Sequence, residues 1–255
     1  MSPSPLTLDV LRTVVAVAML GYGSARDLRT REVHDLVWVA GGGAGLVIDA
    51  VGLFLGYLTL RQLVYSVGFM AGVALVFGYL GLFGGADLLA FVALSIIHPR
   101  PPVYLQTLWG WVPPFYAFTL VSNAAVAGIV TPLLVLARNL GAAAGGADLF
   151  GRHRDVSAAR RLALMFTAVN VELADARGPP YQYPLEEPGG GVRLRPDIWD
   201  DDKAAETFRH LRERGVERTW VSATLPYLVL ITVGYLLSVA FGDVLLWLFI
   251  ILRTR

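Results

Sequence analysis

The sequence predicts an all-α polytopic membrane protein with six transmembrane helices and a small cytoplasmic domain inserted between helices five and six. Two features of the composition support this class. Of the 255 residues, 55% are hydrophobic and 16% are charged, and the mean hydropathy of +0.58 exceeds that of an ordinary soluble domain. The charged residues also cluster, mainly within 26–35 and 138–218, and leave long apolar runs between them.

The apolar runs predict the helices in order. A helix of roughly 20 residues crosses the hydrocarbon layer of a bilayer. Five runs approach or exceed that length, and a short sixth run follows Gly84-Gly85, which fits a helix that begins inside the protein. In chain order, the predicted helices are 6–23, 36–55, 62–82, 86–97, 115–137 and 225–252.

Small and polar residues inside these runs predict contacts between helices. The second helix contains Gly41, Gly42, Gly43 and Gly45, which would let a neighbouring helix approach closely. The fifth helix contains Asn123, whose amide is expected to hydrogen-bond across helices.

The runs also divide the chain into domains. Residues 1–137 form the predicted membrane domain with helices one to five, and residues 223–255 contain the sixth helix and the C-terminus. Between them, residues 138–222 form a soluble segment of roughly 85 residues, which is marginal for an independent core. We therefore expect this segment to rest on the membrane surface.

The distribution of arginine predicts the orientation in the membrane. The loop after helix one contains Arg26, Arg29 and Arg31, whereas the loops after helices two and four each contain one arginine. Short loops rich in arginine stay in the cytoplasm. With six spans, the first loop, the Gly84-Gly85 break and the soluble segment all face the cytoplasm.

Two aspartates are the candidate catalytic residues. Asp87 lies in an apolar stretch at the predicted start of helix four, and Asp27 follows helix one. Burying an ionisable group inside a membrane costs free energy. The first hypothesis is therefore that such a group has a function and a polar partner. Two carboxylates that converge cannot both ionise easily and are expected to share one proton. Such a pair activates water and polarises a peptide carbonyl, as in an aspartic protease, and neither member is assigned its own role.

Two segments resemble a known family. The segment 27–35, DLRTREVHD, resembles the first characteristic segment of the type IV prepilin peptidases, including the archaeal preflagellin peptidases. Gly84-Gly85-Ala86-Asp87 resembles their GxGD motif, which presenilin-type intramembrane proteases share. The resemblance implies that Asp27 and Asp87 are the catalytic pair and that Gly84 is the first glycine of the motif. Ala86 occupies the position of the second glycine.

The resemblance also implies a substrate. Members of this family remove the short basic leader peptide of type IV pilin-like or archaellin precursors at the cytoplasmic membrane boundary. The expected partners are therefore these precursor proteins and the lipid bilayer. Glu32 and Asp35 are candidates to bind basic leader residues, although ordinary solvated loop charges are the simpler interpretation. The polar segment followed by a last helix is similar to the C-terminal extension of archaeal members.

Other readings of the two aspartates stay open. Asp27 alone fits an interfacial polar group, and Asp87 alone fits a cap at a helix N-terminus. Together they also fit a proton- or cation-coupled transporter with a broken helix, or a scaffold for pilus assembly without catalysis. A transporter would hold its carboxylates near the bilayer midplane, whereas both segments are predicted at the membrane boundary.

The sequence predicts neither a cofactor nor a nucleic-acid partner. There is no cysteine, which excludes disulfides and the paired Cys-x-x-Cys zinc domain found in bacterial relatives. The four histidines lie on separate elements, so no metal site is expected. No nucleotide fingerprint occurs, and no basic stripe with interleaved aromatic residues indicates nucleic-acid binding.

Overall fold

The computed structural model describes residues 2–80, 84–107, 113, 116–187, 190–198, 200–223 and 226–253. The chain divides into two compact units. The helical unit contains the residues up to Gly128 together with those from Pro226 onward, and the mixed unit contains Ile129–Leu225. The helical unit is therefore built from both ends of the chain.

The described residues form helices and a few short strands. In chain order they are α1 (Pro5–Thr30), α2 (Leu36–Phe54), α3 (Leu60–Tyr79), α4 (Gly85–Ile97), α5 (Tyr116–Ala144), α6 (Ala158–Thr167), β1 (Val169–Glu172), β2 (Gln182–Pro184), α7 (Asp201–Glu213), β3 (Arg218–Ala223), α8 (Tyr227–Phe241) and α9 (Val244–Arg253). The predicted end of helix three at Leu82 lies outside the described residues.

Among the described residues, four helices are long and apolar enough to cross a membrane: α1, α2, α3 and α5. The bent pair α8 and α9 makes a fifth candidate if it counts as one span. Helix α4 has only 13 residues, fewer than the roughly 20 that a span needs. The prediction of a mostly helical membrane protein is confirmed, and the count of six spans stays a prediction.

The prediction of one continuous helix over 225–252 is wrong. Helices α8 and α9 meet at an angle of 61°, and Gly242 between them has a φ of 82°. The Asn123 side chain of α5 donates a hydrogen bond to the Gly242 carbonyl at 2.7 Å and accepts one from the Val244 N–H at 2.9 Å. A break inside a membrane helix must satisfy its freed backbone groups within the protein. The predicted cross-helix role of Asn123 is thus confirmed, at this break.

Helix α1 is also longer than predicted. It continues to Thr30, so Asp27 lies inside its last turn and not beyond its end. The helix stops where Arg31 adopts a left-handed conformation, with a φ of 59° and its N–H bonded to the Asp27 carbonyl at 3.1 Å. The apolar run ends at Gly23, but the arginine and leucine residues that follow it favour helix. The helix therefore continues through these more polar turns to Thr30.

Glycines allow the helices of the helical unit to approach closely. A Cβ atom on Gly45 of α2 would lie 3.0 Å from Cα of Ile97 in α4, and one on Gly234 of α8 would lie 2.6 Å from Cα of Ala124 in α5. Of the other α2 glycines, Gly41 and Gly42 face neighbouring helices, whereas no described atom lies within 4 Å of a Cβ on Gly43. The expected close approach along α2 is confirmed at three of its four glycines.

The mixed unit contains a sheet that the all-α prediction missed. Its three antiparallel strands have the order β1-β3-β2. Trp220 of β3 is fully buried and its indole N–H donates to the Leu149 carbonyl at 3.0 Å. Asn139 of α5 donates to the Ala168 carbonyl at 2.7 Å and accepts from the Asn170 N–H at 3.1 Å, which joins α5 to β1. Apolar and polar residues alternate over Val169-Asn170-Val171, a sequence pattern that indicates a strand.

A buried charge network connects the start of α1 to α2 and to the segment after α4. Arg12 contacts Asp9 at 2.9 Å and Asp49 at 2.6 Å, and these three side chains are each 1% exposed. Arg100 contacts Asp9 at 3.1 Å, and the Val103 N–H donates to the same carboxylate at 2.8 Å. The two acidic and two basic groups balance, as buried charges must.

Replacing Arg12 with methionine should destabilise the helical unit strongly. Asp49 would keep its burial and lose the guanidinium that bonds it, and breaking a buried pair in this way costs about 3–5 kcal/mol. Unfolding of the purified protein in mixed micelles, followed by circular dichroism, measures the free energy of unfolding.

The exposed Arg61→Met variant is the control, because it removes the same charge from the surface at the start of α3. The double variant Arg12→Met/Asp49→Leu should recover part of the loss, since an apolar pair can replace a buried ion pair. Wild-type stability of Arg12→Met alone would contradict the interpretation.

Candidate active site

The structure brings Asp27 and Asp87 together within the helical unit. Asp27 lies in the last turn of α1 and Asp87 in the first turn of α4. These two helices pack against each other, and the two carboxyl groups are close enough to interact electrostatically. Two acidic side chains that are distant in sequence therefore lie within reach of each other's charge in the helical bundle.

The start of α4 holds the Asp87 side chain in place. Gly84 precedes the helix with an extended backbone, φ −73° and ψ 161°, and its N–H donates to Oδ2 of Asp87 at 3.1 Å. Gly85 is exposed, whereas Ala86 is partly buried against the apolar core of the bundle. Asp87 thus satisfies a backbone donor at the helix start, and this local role is compatible with a chemical one.

Asp27 is held from two sides. Its Oδ1 lies 3.9 Å from Nη1 of Arg31, one turn further along the chain. The backbone N–H of Leu228, in the first turn of α8, donates a hydrogen bond to the Asp27 carboxylate. One turn before Asp27, the Ser24 hydroxyl pairs with the Thr232 hydroxyl of α8 at 2.7 Å. Helix α8 is therefore bonded to α1 beside the aspartate.

Helix α8 is the part of the site that sequence reasoning missed. It packs against both α1 and α4, and Tyr227 at its first position lies close enough to Asp87 for the two groups to interact electrostatically. The signal available in the sequence is Pro226, which marks a helix start. No local pattern, however, connects residue 227 with residues 27 and 87.

Glu32 and Asp35 lie on the loop that follows Asp27. Both are exposed, and Asp35 precedes α2 without forming a side-chain cap. The structure therefore presents two carboxylates to solvent near the end of α1. Both residues follow Asp27 closely along the chain, and exposed carboxylates can attract basic groups of a ligand.

The arrangement defines a class of protein. Two carboxylates meet at helix ends in a membrane bundle, and each accepts a hydrogen bond from the first backbone N–H groups of a helix start. In the described part of the chain, no three His, Asp or Glu side chains cluster closely enough to hold a metal ion. The helical unit is a membrane-embedded bundle built around an aspartate pair.

Comparisons with known proteins identify relatives of the chain. Residues 14–133 match the model of the type IV leader peptidase family, and residues 160–244 match the model described as Archaeal Peptidase A24 C-terminus Type II. Two proteins named preflagellin peptidase are similar over nearly the whole chain. The one from Methanococcus voltae is 23% identical over 248 residues, covering 91% of this chain and 96% of the relative. The one from Methanocaldococcus jannaschii is 22% identical over 254 residues, covering 94% and 98%.

The chain belongs to the type IV leader peptidase family, and its C-terminal part is of the archaeal type. The resemblance inferred from the segments 27–35 and 84–87 is therefore confirmed. Both aspartates fall within the first match, and the start of α8 falls within the second. The region around the aspartate pair thus combines residues from both matched segments.

Proposed function

We propose that the protein is a membrane aspartic endopeptidase that removes the basic leader peptide of type IV pilin-like or archaellin precursors. The observation that carries the proposal is the convergence of Asp27 and Asp87 at helix ends in a chain of the leader peptidase family. The names of the two similar archaeal proteins support the substrate class. Asp27 and Asp87 are the proposed catalytic residues, and Gly84, Gly85 and Ala86 place Asp87 at the start of α4.

The proposed reaction uses water and no covalent intermediate. The ionised member of the pair takes a proton from water while the water oxygen bonds to the scissile carbonyl carbon. The protonated member gives its proton to the carbonyl oxygen, and a gem-diol results. The C–N bond then breaks, the amide nitrogen takes a proton from the pair, and a carboxylic acid and an amine are released. Two carboxylates that share one proton perform both halves of this exchange.

The position of the pair favours a peptidase over a transporter. Asp27 is in the last turn of α1, and Asp87 is in the first turn of α4. A coupled transporter would use carboxylates near the middle of the membrane, whereas a leader peptidase needs them where the apolar segment of its substrate ends. A non-catalytic scaffold for pilus assembly has no need of a carboxylate pair.

Replacing either aspartate should abolish cleavage. We expect Asp27→Asn and Asp87→Asn each to lower the rate by about 10³-fold or more, because an amide neither accepts the proton of water nor donates one as an acid. The assay follows the mobility shift of an archaellin precursor with purified enzyme in liposomes. Asp175→Asn, at an exposed aspartate of the mixed unit, is the matched control. Full processing by either active-site variant would exclude the dyad.

The proposal includes a topology with the site at the cytoplasmic face of the plasma membrane. Helix α4 and the α8–α9 pair would complete six spans, with the soluble segment 138–222 in the cytoplasm and Val103 outside. Since the chain has no cysteine, any labelling by a maleimide comes from the single cysteine that is introduced. A membrane-impermeant maleimide on intact cells should label Val103→Cys, which replaces an exposed residue, and should label Asp175→Cys only after lysis. Labelling of Asp175→Cys on intact cells would reverse the topology.

We further propose that Glu32 and Asp35 bind the basic residues of the leader. Exposed ion pairs contribute up to about 1 kcal/mol each, so the double variant Glu32→Gln/Asp35→Asn should raise KM roughly fivefold and change kcat little. Steady-state cleavage of precursors with basic and with neutral leaders measures the effect. The rise in KM should vanish with the neutral leader and shrink at high salt. An equal rise with both leaders would argue against recognition by charge.

A further inference from the structure

Helix α6 packs one of its faces into the mixed unit. Leu164 on this face is fully buried, in one apolar cluster with Trp220. Arg161 lies on the same side of the helix, one turn earlier. Its guanidinium donates to the Val156 carbonyl at 2.9 Å and to the Arg154 carbonyl at 2.6 Å. The contacts of this face are therefore made within the mixed unit itself.

The opposite face of α6 is apolar and open. The Leu162 side chain is 61% exposed, although leucine is among the residues that proteins most often bury. A single exposed leucine is ordinary, whereas a row of apolar residues along one helix face indicates a contact surface. Residues at spacings of three and four share a helix face, and none of the four on this face is fully buried: Ala159, Leu162, Ala163 and Phe166.

Two exposed arginines border this row. Arg160 lies on α6 at the edge of the row, and Arg154 lies just before the helix begins. Within the ranges that the structure describes, neither guanidinium forms an ion pair with an acidic side chain. Asp155 is the one acidic residue between 152 and 161, so the local charge stays positive. An apolar row with a basic border is typical of a helix that lies in a membrane interface.

The C-terminal end of α6 is bonded to α5 at the membrane boundary of that candidate span. Leu134 of α5 is 65% exposed, and Arg138 is the first charged residue of the helix. The next residue, Asn139, donates to the Met165 carbonyl at 3.0 Å and to the Ala168 carbonyl at 2.7 Å. At 1.5 Å per residue, Asn139 lies only about 8 Å along the axis beyond Leu134. This part of α5 belongs to the mixed unit, so α6 is held beside the bilayer that α5 would cross.

We propose that α6 is a membrane-docking helix that binds anionic lipid. Leu162 and Phe166 enter the boundary between headgroups and acyl chains, and Arg154 and Arg160 bind the headgroup phosphates. A lipid surface fits this face better than a protein partner does, because Asn139 fixes the helix at the level where headgroups lie. The inference involves neither of the two aspartates, so it does not depend on the proposed peptidase function.

The test places a fluorescent label on the open face of α6. Leu162→Cys in the full-length, otherwise cysteine-free chain is labelled with nitrobenzoxadiazole and reconstituted in vesicles of phosphatidylcholine and phosphatidylglycerol. Lipids brominated near the headgroup end of the chain should lower the emission about twofold or more, because an interfacial helix buries its apolar face about 5–10 Å deep. The matched control is labelled Glu206→Cys on α7, a residue whose side chain is 58% exposed, and its emission should not change.

A second measurement tests the role of the two arginines. In the Leu162→Cys background, Arg154→Gln/Arg160→Gln should lower the ratio of docked to undocked α6 roughly fivefold for each arginine, and quenching should fall accordingly. Vesicles of phosphatidylcholine alone and high salt should have the same effect on the unmodified arginines. Arg177→Gln/Arg195→Gln, which removes equal charge from two other exposed positions of the mixed unit, is the control and should leave quenching unchanged.

Each outcome supports or overturns the inference. Absence of quenching at residue 162, or equal quenching at residues 162 and 206, would overturn the assignment of docking to α6. Quenching that is the same in both kinds of vesicle and in both arginine double variants would overturn the binding of anionic headgroups. A blue shift of the label at 162 in dilute detergent without quenching in vesicles would indicate a protein contact instead. Cleavage of a precursor in the same vesicles is scored separately, so loss of docking and loss of peptidase activity remain distinguishable.

Discussion

Carboxylates inside a membrane bundle require polar partners, and this requirement organises the helical unit. Moving a charge out of water costs several kcal/mol unless hydrogen bonds and counter-charges compensate. Asp87 receives the Gly84 N–H at the start of α4, and Asp27 receives the Leu228 N–H at the start of α8. Helix starts have backbone donors without partners in their own helix, so two of them satisfy the two carboxylates.

This solution determines which helices must meet. Helix α8 follows the whole mixed unit in sequence, yet it packs against α1 and α4. Its position depends on close contact with α5, where Gly234 faces the Ala124 backbone, and on the Asn123 amide that satisfies the break between α8 and α9. A bend of 61° in the last apolar run is therefore part of the framework that packs α8 against α1 and α4.

Helix α1 is anchored by polar groups at both ends. Asp27 lies in its last turn, and Asp9 and Arg12 lie near its start in a buried network with Asp49 and Arg100. The segment that contains Arg100 follows α4, so the start of α1 is bonded to the chain just beyond the end of α4. A shift of α1 along its axis would separate buried charges at one end and the aspartate pair at the other. The network thus limits the relative movement of the helices that contribute the proposed catalytic groups.

The amino-acid sequence by itself determined the membrane class, most helix positions and the two candidate aspartates. Apolar runs, and charged residues within or beside them, can be recognised from a short stretch of sequence. It also indicated the family, since the segments 27–35 and 84–87 are short and contiguous. The break at Gly242 and the short strands were missed: the first sits inside an unbroken apolar run, and the second have only a few alternating residues. Only the tertiary structure decided that α8 reaches the aspartate pair and that Arg12 joins Asp9 to Asp49. These contacts join residues that are distant in sequence. The residues that flank Leu228 or Arg12 in the sequence do not indicate which partner packing will bring to either of them.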